Sequence, residues 1–160
     1  MRLVFGSRST PFLVAKGYGG HMKLNSEYRI FVVDDEPTIT STLGQILKIQ
    51  GFEAVCFTDP LKALEALHTE APDFLIADVV MPQMSGLDLA IVVRETCPSC
   101  TVLLFSGQLE TFELLEEARN RGHNFEVLSK PVPPEVMLAR VFGSLGLNAG
   151  SDGPPGMLLS

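Results

Sequence analysis

Five short runs of apolar, largely β-branched or aromatic residues punctuate the chain, and stretches with helical apolar spacing alternate with them. The runs are Arg29–Asp34, Ala54–Phe57, Phe74–Asp78, Val102–Phe105 and Glu126–Leu128, each suited in length and composition to a strand. After the first, Ile39, Leu43, Ile46 and Leu47 share one helical face that ends at Gly51. After the second, Asp59 is placed to cap a helix with Pro60 at its first position and Leu61, Leu64 and Leu67 as its apolar stripe. A third helix is predicted over Gly86–Thr96 and a fourth over Glu110–Arg121, before Gly122. A fifth starts at Pro134 with Leu138, Val141, Phe142 and Leu145 turned inward.

Strands separated by helices pair in parallel, because a parallel neighbour needs a crossover, and right-handed crossovers place helices on both faces of the sheet. The pattern therefore predicts a doubly wound α/β sandwich around one five-stranded parallel sheet. In such sheets the reactive crevice lies beyond the carboxyl ends of the strands. The residues there are Asp34-Asp35, Asp78, Ser106 and Lys130.

With the first and third strands adjacent, three carboxylates share one small site. Two like charges about 4 Å apart repel by about 4 kcal/mol at an effective dielectric near 20, so the cluster demands a proton or a cation. Oxygen-only ligands in a compact acidic group suit a hard ion such as magnesium. Lys130 supplies a further positive charge. A carboxylate beside such an ion, an ammonium and a hydroxyl is a set of parts for phosphoryl transfer, with Asp78 as nucleophile and Asp34 and Asp35 as the pair that holds the metal.

Composition narrows the functional classes. The 160 residues are 46% hydrophobic and 19% charged, a globular balance with room for one self-sufficient domain. No apolar run approaches the ~20 residues that span a bilayer. Residues 1–29 carry five basic side chains and one acid, whereas residues 30–160 carry seven basic and 18 acidic ones, a balance of -11. An acidic body disfavours a nucleic-acid backbone and points to protein partners; Arg119 and Arg121 are its one close basic pair. Three cysteines are too few and odd for a secreted disulfide framework, which makes a reducing cytoplasm the default. Residues 1–27 are expected as a disordered extension, with Met22 a candidate start, 28–147 as the folded domain, and 148–160, rich in Gly and Pro, as a flexible tail. Neither end suggests an effector domain.

Four segments together resemble the receiver domains of two-component response regulators, over about residues 29–146: Val32-Val33-Asp34-Asp35-Glu36, Asp78-Val79-Val80-Met81-Pro82-Gln83-Met84-Ser85-Gly86, Phe105-Ser106-Gly107 and Ser129-Lys130-Pro131. The resemblance implies a flavodoxin-like (βα)5 fold with strand order 2-1-3-4-5. It implies Asp78 as phospho-acceptor from a sensor histidine kinase or His-phosphotransfer protein, with magnesium held by Asp34, Asp35, Asp78 and the backbone carbonyl of Val80. Ser106 then resembles the switch hydroxyl, Lys130 the lysine that pairs with the phosphoryl group, and Lys130-Pro131 a cis bond. Gly86 would open the third helix, while Val80 and Gln108 stand where the family tunes dephosphorylation. A single-domain regulator of the chemotaxis-regulator kind is the function implied, signalling by protein contact or onward phosphotransfer. Thr38, Thr42 and Gln45 would meet the kinase on the exposed side of the first helix.

The chain departs from the family at Val127, three residues before Lys130, where an aromatic switch residue is usual. Phe125 lies an even step away on the same strand face, and Gly122–Lys130 is one residue longer than usual. Two other readings stand beside this one. A magnesium-dependent phosphohydrolase of the haloacid dehalogenase type wants Asp-x-Asp after the first strand, where this chain has Glu36 at the third position. A receiver-like binding module independent of phosphorylation draws support from Val127. The remaining features take plainer readings. Glu36 is expected as a helix cap, and Glu110, Glu113, Glu116 and Glu117 as a solvated face. Cys97-Pro98-Ser99-Cys100 follows a helix, whose negative end would raise a thiol pKa, so a helix-to-strand loop is expected there instead of a redox or zinc site.

Overall fold

The computed structural model describes residues 23–107 and 111–147, arranged as five strands and five helices in strict alternation. The strands are β1 (Arg29–Val33), β2 (Glu53–Phe57), β3 (Phe74–Asp78), β4 (Thr101–Ser106) and β5 (Glu126–Ser129). The helices are α1 (Pro37–Ile49), α2 (Pro60–Leu67), α3 (Gly86–Thr96), α4 (Thr111–Asn120) and α5 (Pro134–Ser144). All neighbouring strands pair in parallel in the order β2-β1-β3-β4-β5, the expected flavodoxin-like arrangement. Expectations for residues 1–22 and 148–160, and for Gln108 and Glu110, lie outside the described residues.

The central strands read as unbroken apolar runs because both faces of the sheet are covered. Phe31, Val33, Leu75, Ala77, Val102 and Leu104 point into one core with α2, α3 and α4. Ile30, Val32, Phe74, Ile76, Leu103 and Phe105 point into the other, with α1 and α5. Alternate side chains of one strand thus serve opposite layers.

Two stripes are placed differently from the sequence reading. In α2 the buried positions are Pro60, Ala63 and Leu67, and Leu61 is exposed. At 100° per residue, positions 60, 63 and 67 span a narrow arc, whereas 61 lies about 120° from 67. In α5 Met137, absent from the expected stripe, is as fully buried as Val141, both at 0% exposure, with Phe142 beside them, while Leu138 packs at the margin. Asp59 caps α2 as expected, its carboxylate accepting Leu61 N–H at 2.9 Å.

Residues 23–27, expected within the extension, are part of the ordered fold. Asn25–Glu27 form a single 3-10 turn whose Glu27 carboxylate accepts Leu24 N–H at 2.6 Å, and the Asn25 amide donates to the Gln50 carbonyl at 2.9 Å. Lys23 pairs with Asp73 at 3.2 Å. Polar side chains that satisfy backbone groups anchor this segment, a signal that hydrophobic periodicity does not carry. Among the described residues no helix is long and apolar enough to cross a membrane.

Candidate functional site

The chain passes from apolar to acidic where β1 leaves the sheet. Asp34 N–H still donates to the Phe57 carbonyl of β2 at 3.1 Å, so the backbone remains strand-like while the side chain, 2% exposed, enters the crevice. Its Oδ1 accepts Glu36 N–H at 2.9 Å, which turns the chain into α1. Asp35 is exposed at the rim. Glu36 takes the N-cap position with Pro37 after it; its carbonyl accepts the first helical N–H groups, whereas its side chain makes no capping bond.

β3 delivers Asp78 beside this pair. One ligand oxygen from each of Asp34, Asp35 and Asp78 lies within 4.8 Å of the other two. The loop that follows is held on both sides. Val79 N–H donates to the Phe105 carbonyl and Gly86 N–H to the Val79 carbonyl, each at 2.9 Å. α3 begins at Gly86, with Ser85 as its cap accepting Asp88 N–H at 3.0 Å. A side chain at Gly86 would run into the Asp78 carbonyl, so glycine there lets α3 start directly against the strand that carries the acid. Val80 is exposed, and its N–H donates to Asp78 Oδ1 at 3.3 Å.

Lys130 crosses from the end of β5 and answers two of the three anions. Its Nζ donates to Asp78 Oδ2 at 2.8 Å and to Asp34 Oδ2 at 3.2 Å. Partial burial pulls the Lys130 pKa down, but the hydrogen bonds and charges of Asp78 and Asp34 outweigh it and hold the ammonium above its ordinary value. Lys130 N–H donates to the Ser106 carbonyl at 2.8 Å, and the Lys130-Pro131 bond is cis. Three carboxylates against one ammonium leave the crevice anionic, and its oxygen-only donors fit magnesium.

Ser106 ends β4, 9% exposed, paired in register with Ser129. Its Oγ lies 2.5 Å from Thr111 Oγ1 at the start of α4. Sequence reading missed this partner: nothing in the spacing tells Thr111 from any helix-opening threonine, and only the packing, which leaves it 4% exposed, does so.

Val127 and Phe125 both join the core on the α3 side, as an even step predicts. Phe125 lies just ahead of β5, roughly 13 Å along the chain from the Ser106–Ser129 pair. Its ring stacks on His123 and lies 5.1 Å beneath the Arg94 guanidinium. It anchors the far end of the strand.

The Cys97–Cys100 segment is the expected loop between α3 and β4, with both thiols free. Burial first, and then the neighbouring Cys97 and Asp73, push the Cys100 thiol up to about 12. Thr38, Thr42 and Gln45 are exposed on α1, and Glu113, Glu116 and Glu117 on α4.

A family model described as the response regulator receiver domain matches residues 30–142. The chain belongs to this family. The receiver is 28% identical over 130 residues to the DNA-binding response regulator MtrA of Mycolicibacterium smegmatis, a match covering 81% of this chain and 55% of that protein. It thus spans about half the length of the curated relatives it matches. Among solved structures it resembles the signal receiver domain of an HD domain-containing protein from Pseudomonas fluorescens Pf-5, with 28% identity and a TM-score of 0.68 over 74% of this chain and 94% of that one. It also resembles the BeF3-activated DrrB receiver domain, with 27% identity and a TM-score of 0.64 over 74% and 97%. The pocket of Asp34, Asp35 and Asp78 is typical of the phospho-acceptor, magnesium-binding site of receivers.

Proposed function

We propose that this receiver is a phosphorylation-controlled switch in which Asp78 accepts a phosphoryl group from a sensor histidine kinase or a His-phosphotransfer protein. The observation that carries the reading is the meeting of three carboxylates with Lys130 at the carboxyl ends of β1, β3 and β5. Asp78 is favoured as the acceptor by its placement. Asp34 is buried and Asp35 sits at the rim, whereas Asp78 lies between them, its side chain 11% exposed and held by the shorter of the two Lys130 contacts. In the transfer a carboxylate oxygen of Asp78 forms the new P–O bond as the P–N bond of the phosphohistidine breaks, and the imidazole leaves with a proton. The product is an acyl phosphate.

Asp34, Asp35, Asp78 and the Val80 carbonyl are the groups that would hold magnesium, which when bound neutralises the acids and draws in the phosphoryl oxygens. Lys130 keeps its proton and turns its donors from the carboxylates toward those oxygens, and Ser106, at the end of the adjacent strand, is the candidate hydroxyl donor. New charge at Asp78 then biases a two-state equilibrium of the loops around it.

Outside its own phosphorylation and dephosphorylation the receiver carries no catalytic activity in this reading. Its output is protein contact, supported by the balance of -11 over residues 30–160, which repels a phosphate backbone. The described free thiols suit a reducing cytoplasm, and the ordered contacts of Lys23 and Leu147 support a working domain of about residues 23–147.

The test is intact mass after incubation with acetyl phosphate, with and without magnesium, for the wild type and Asp78→Asn. The expected result is a magnesium-dependent gain of one phosphoryl group, absent in Asp78→Asn and removed by hydroxylamine. No adduct on the folded wild type would refute the switch in favour of a binding module independent of phosphorylation. Continuous phosphate release from many donors would favour a hydrolase.

A further inference from the structure

Cations are scarce in this acidic chain, and most of those in the fold have a carboxylate to answer them. Among the described residues Lys23, Arg29, Lys62, Lys130 and Arg140 each form an ion pair. Lys48, Arg94, Arg119 and Arg121 form none. The three arginines among them stand where α3 and α4 end.

The gathering has a local cause. α4 stops at Gly122, whose positive φ of 86° lets its N–H reach back to the Arg119 carbonyl at 2.9 Å while His123 N–H reaches the Ala118 carbonyl at 2.8 Å. The closure brings the His123 ring parallel to Phe125, with centroids 6.2 Å apart. Arg94, in the last turn of α3, lies over the same Phe125 ring at 5.1 Å. One aromatic side chain thus holds the two helix ends in register.

The dipole of a helix draws cations to its last turn, which accounts for arginines at these positions. It does not account for their lack of acids. Glu116 and Glu117 stand three and four residues before Arg119 and Arg121, the spacing at which helical ion pairs form, yet neither pairs with them. Glu126, which follows the turn, is taken by Arg140. Arg119 and Arg121 are exposed, and Arg94 has its Nε buried without a hydrogen-bond partner and its charge without a counter-ion. Crossover helices run antiparallel to the strands they join, so this end of the molecule lies opposite the crevice of Asp34, Asp35 and Asp78.

We propose that the ends of α3 and α4 form a docking surface for an acidic segment of a partner protein, whose carboxylates become the counter-ions of Arg94, Arg119 and Arg121. Guanidinium forks match carboxylates, and Phe125 fixes the position of Arg94. A short acidic segment suits the place better than nucleic acid does. The positive charge is confined to one end of a body with a balance of -11 over residues 30–160, so a continuing phosphate backbone would run onto like charge. The surface stands apart from the phospho-acceptor reading of Asp78.

The experiment titrates the isotope-labelled full chain at low salt with a peptide of alternating aspartate and serine and follows the amides by NMR. Saturable shifts are expected at Thr96, Cys97 and residues 119–125, and they should fade as salt is raised. Arg119→Gln/Arg121→Gln should weaken the peptide roughly three- to tenfold, the worth of two exposed ion pairs. Arg94→Lys, which keeps the charge and loses the fork, should weaken it as well. Lys48→Gln/Lys62→Gln, which removes the same charge elsewhere, should leave the affinity at its wild-type value. Arg119 and Arg121 lie outside the core, so their variant decides the matter even if Arg94→Lys folds poorly. The proposal is overturned by an absence of saturable shifts at these residues up to about 1 mM peptide, by equal weakening in the lysine variant, or by an equal response to the asparagine counterpart of the peptide. Tighter binding of an oligothymidylate of equal charge would overturn it in favour of nucleic acid. Shifts of the same amides on concentrating the chain alone would overturn it in favour of a second copy.

Discussion

Gly86→Ala should damage the stability of the fold and the site together, and the size of the effect follows from what surrounds Gly86. An alanine methyl would press into the Asp78 carbonyl oxygen, with the carbonyl carbon at 2.7 Å and Val79 Cα at 3.2 Å. Ordinary carbon contacts lie at about 3.5–4.0 Å, so the two backbones must separate by about 1 Å. Neither side is a side chain that could swing away. Overpacking of this kind costs about 1–3 kcal/mol, and stretching the 2.9 Å Gly86 N–H to Val79 bond adds to it. The better helix propensity of alanine returns at most about 1 kcal/mol. A net loss of roughly 1–3 kcal/mol is expected, with slower acyl-phosphate labelling because the displaced segment carries Asp78. The chain has no Trp, so far-UV circular dichroism in urea follows unfolding, and a lower midpoint at constant slope reports the loss. Gly143→Ala in α5 is the control: a Cβ there meets nothing within 4 Å, and it should raise the stability by about 0.5–1 kcal/mol, seen as a higher midpoint. Equal responses at the two glycines would refute the packing argument.

Two further outcomes follow from local chemistry. Burial holds the Cys100 thiol protonated up to about 12 against an ordinary 9.0, so above pH 9 the unfolded chain releases a proton that the folded one keeps. Stability is full below that pH and falls as pH rises toward 12; the Cys100→Ala variant should lose this part of the slope in urea titrations at pH 8–10.5, and an identical slope in both proteins would refute the assignment. Asp59→Ala removes the carboxylate that accepts Leu61 N–H at 2.9 Å and should cost about 1 kcal/mol in thermal or urea unfolding, leaving phosphoryl labelling intact.

The parts of the fold that depend on local pattern were legible in the chain. Phe74–Asp78 announces a strand covered on both faces because every residue before the acid is apolar, and Asp59-Pro60 announces a helix start because cap chemistry is local. The gathering of Asp34, Asp35, Asp78 and Lys130 was legible too, since parallel topology sends all strand ends to one rim. What escaped depends on rotation and partnership. Three leucines at intervals of three drift round a helix, so Leu61 left the seam that Pro60, Ala63 and Leu67 occupy. Thr111 escaped because its partner is a side chain on the preceding strand, and Asn25 because its bond to Gln50 belongs to the tertiary fold.

The ammonium that bridges Asp34 and Asp78 stands 96 residues after the first and 52 after the second. On the ribosome, therefore, Asp34, Asp35 and Asp78 emerge before Lys130, the cation that answers them among the described residues. A nascent chain that has β1, β3 and β4 but not β5 must hold its strand ends together against uncompensated like charge, so the finished pocket exists only once the last strand is laid down. The ability to receive a signal is thereby bound to completeness of the domain.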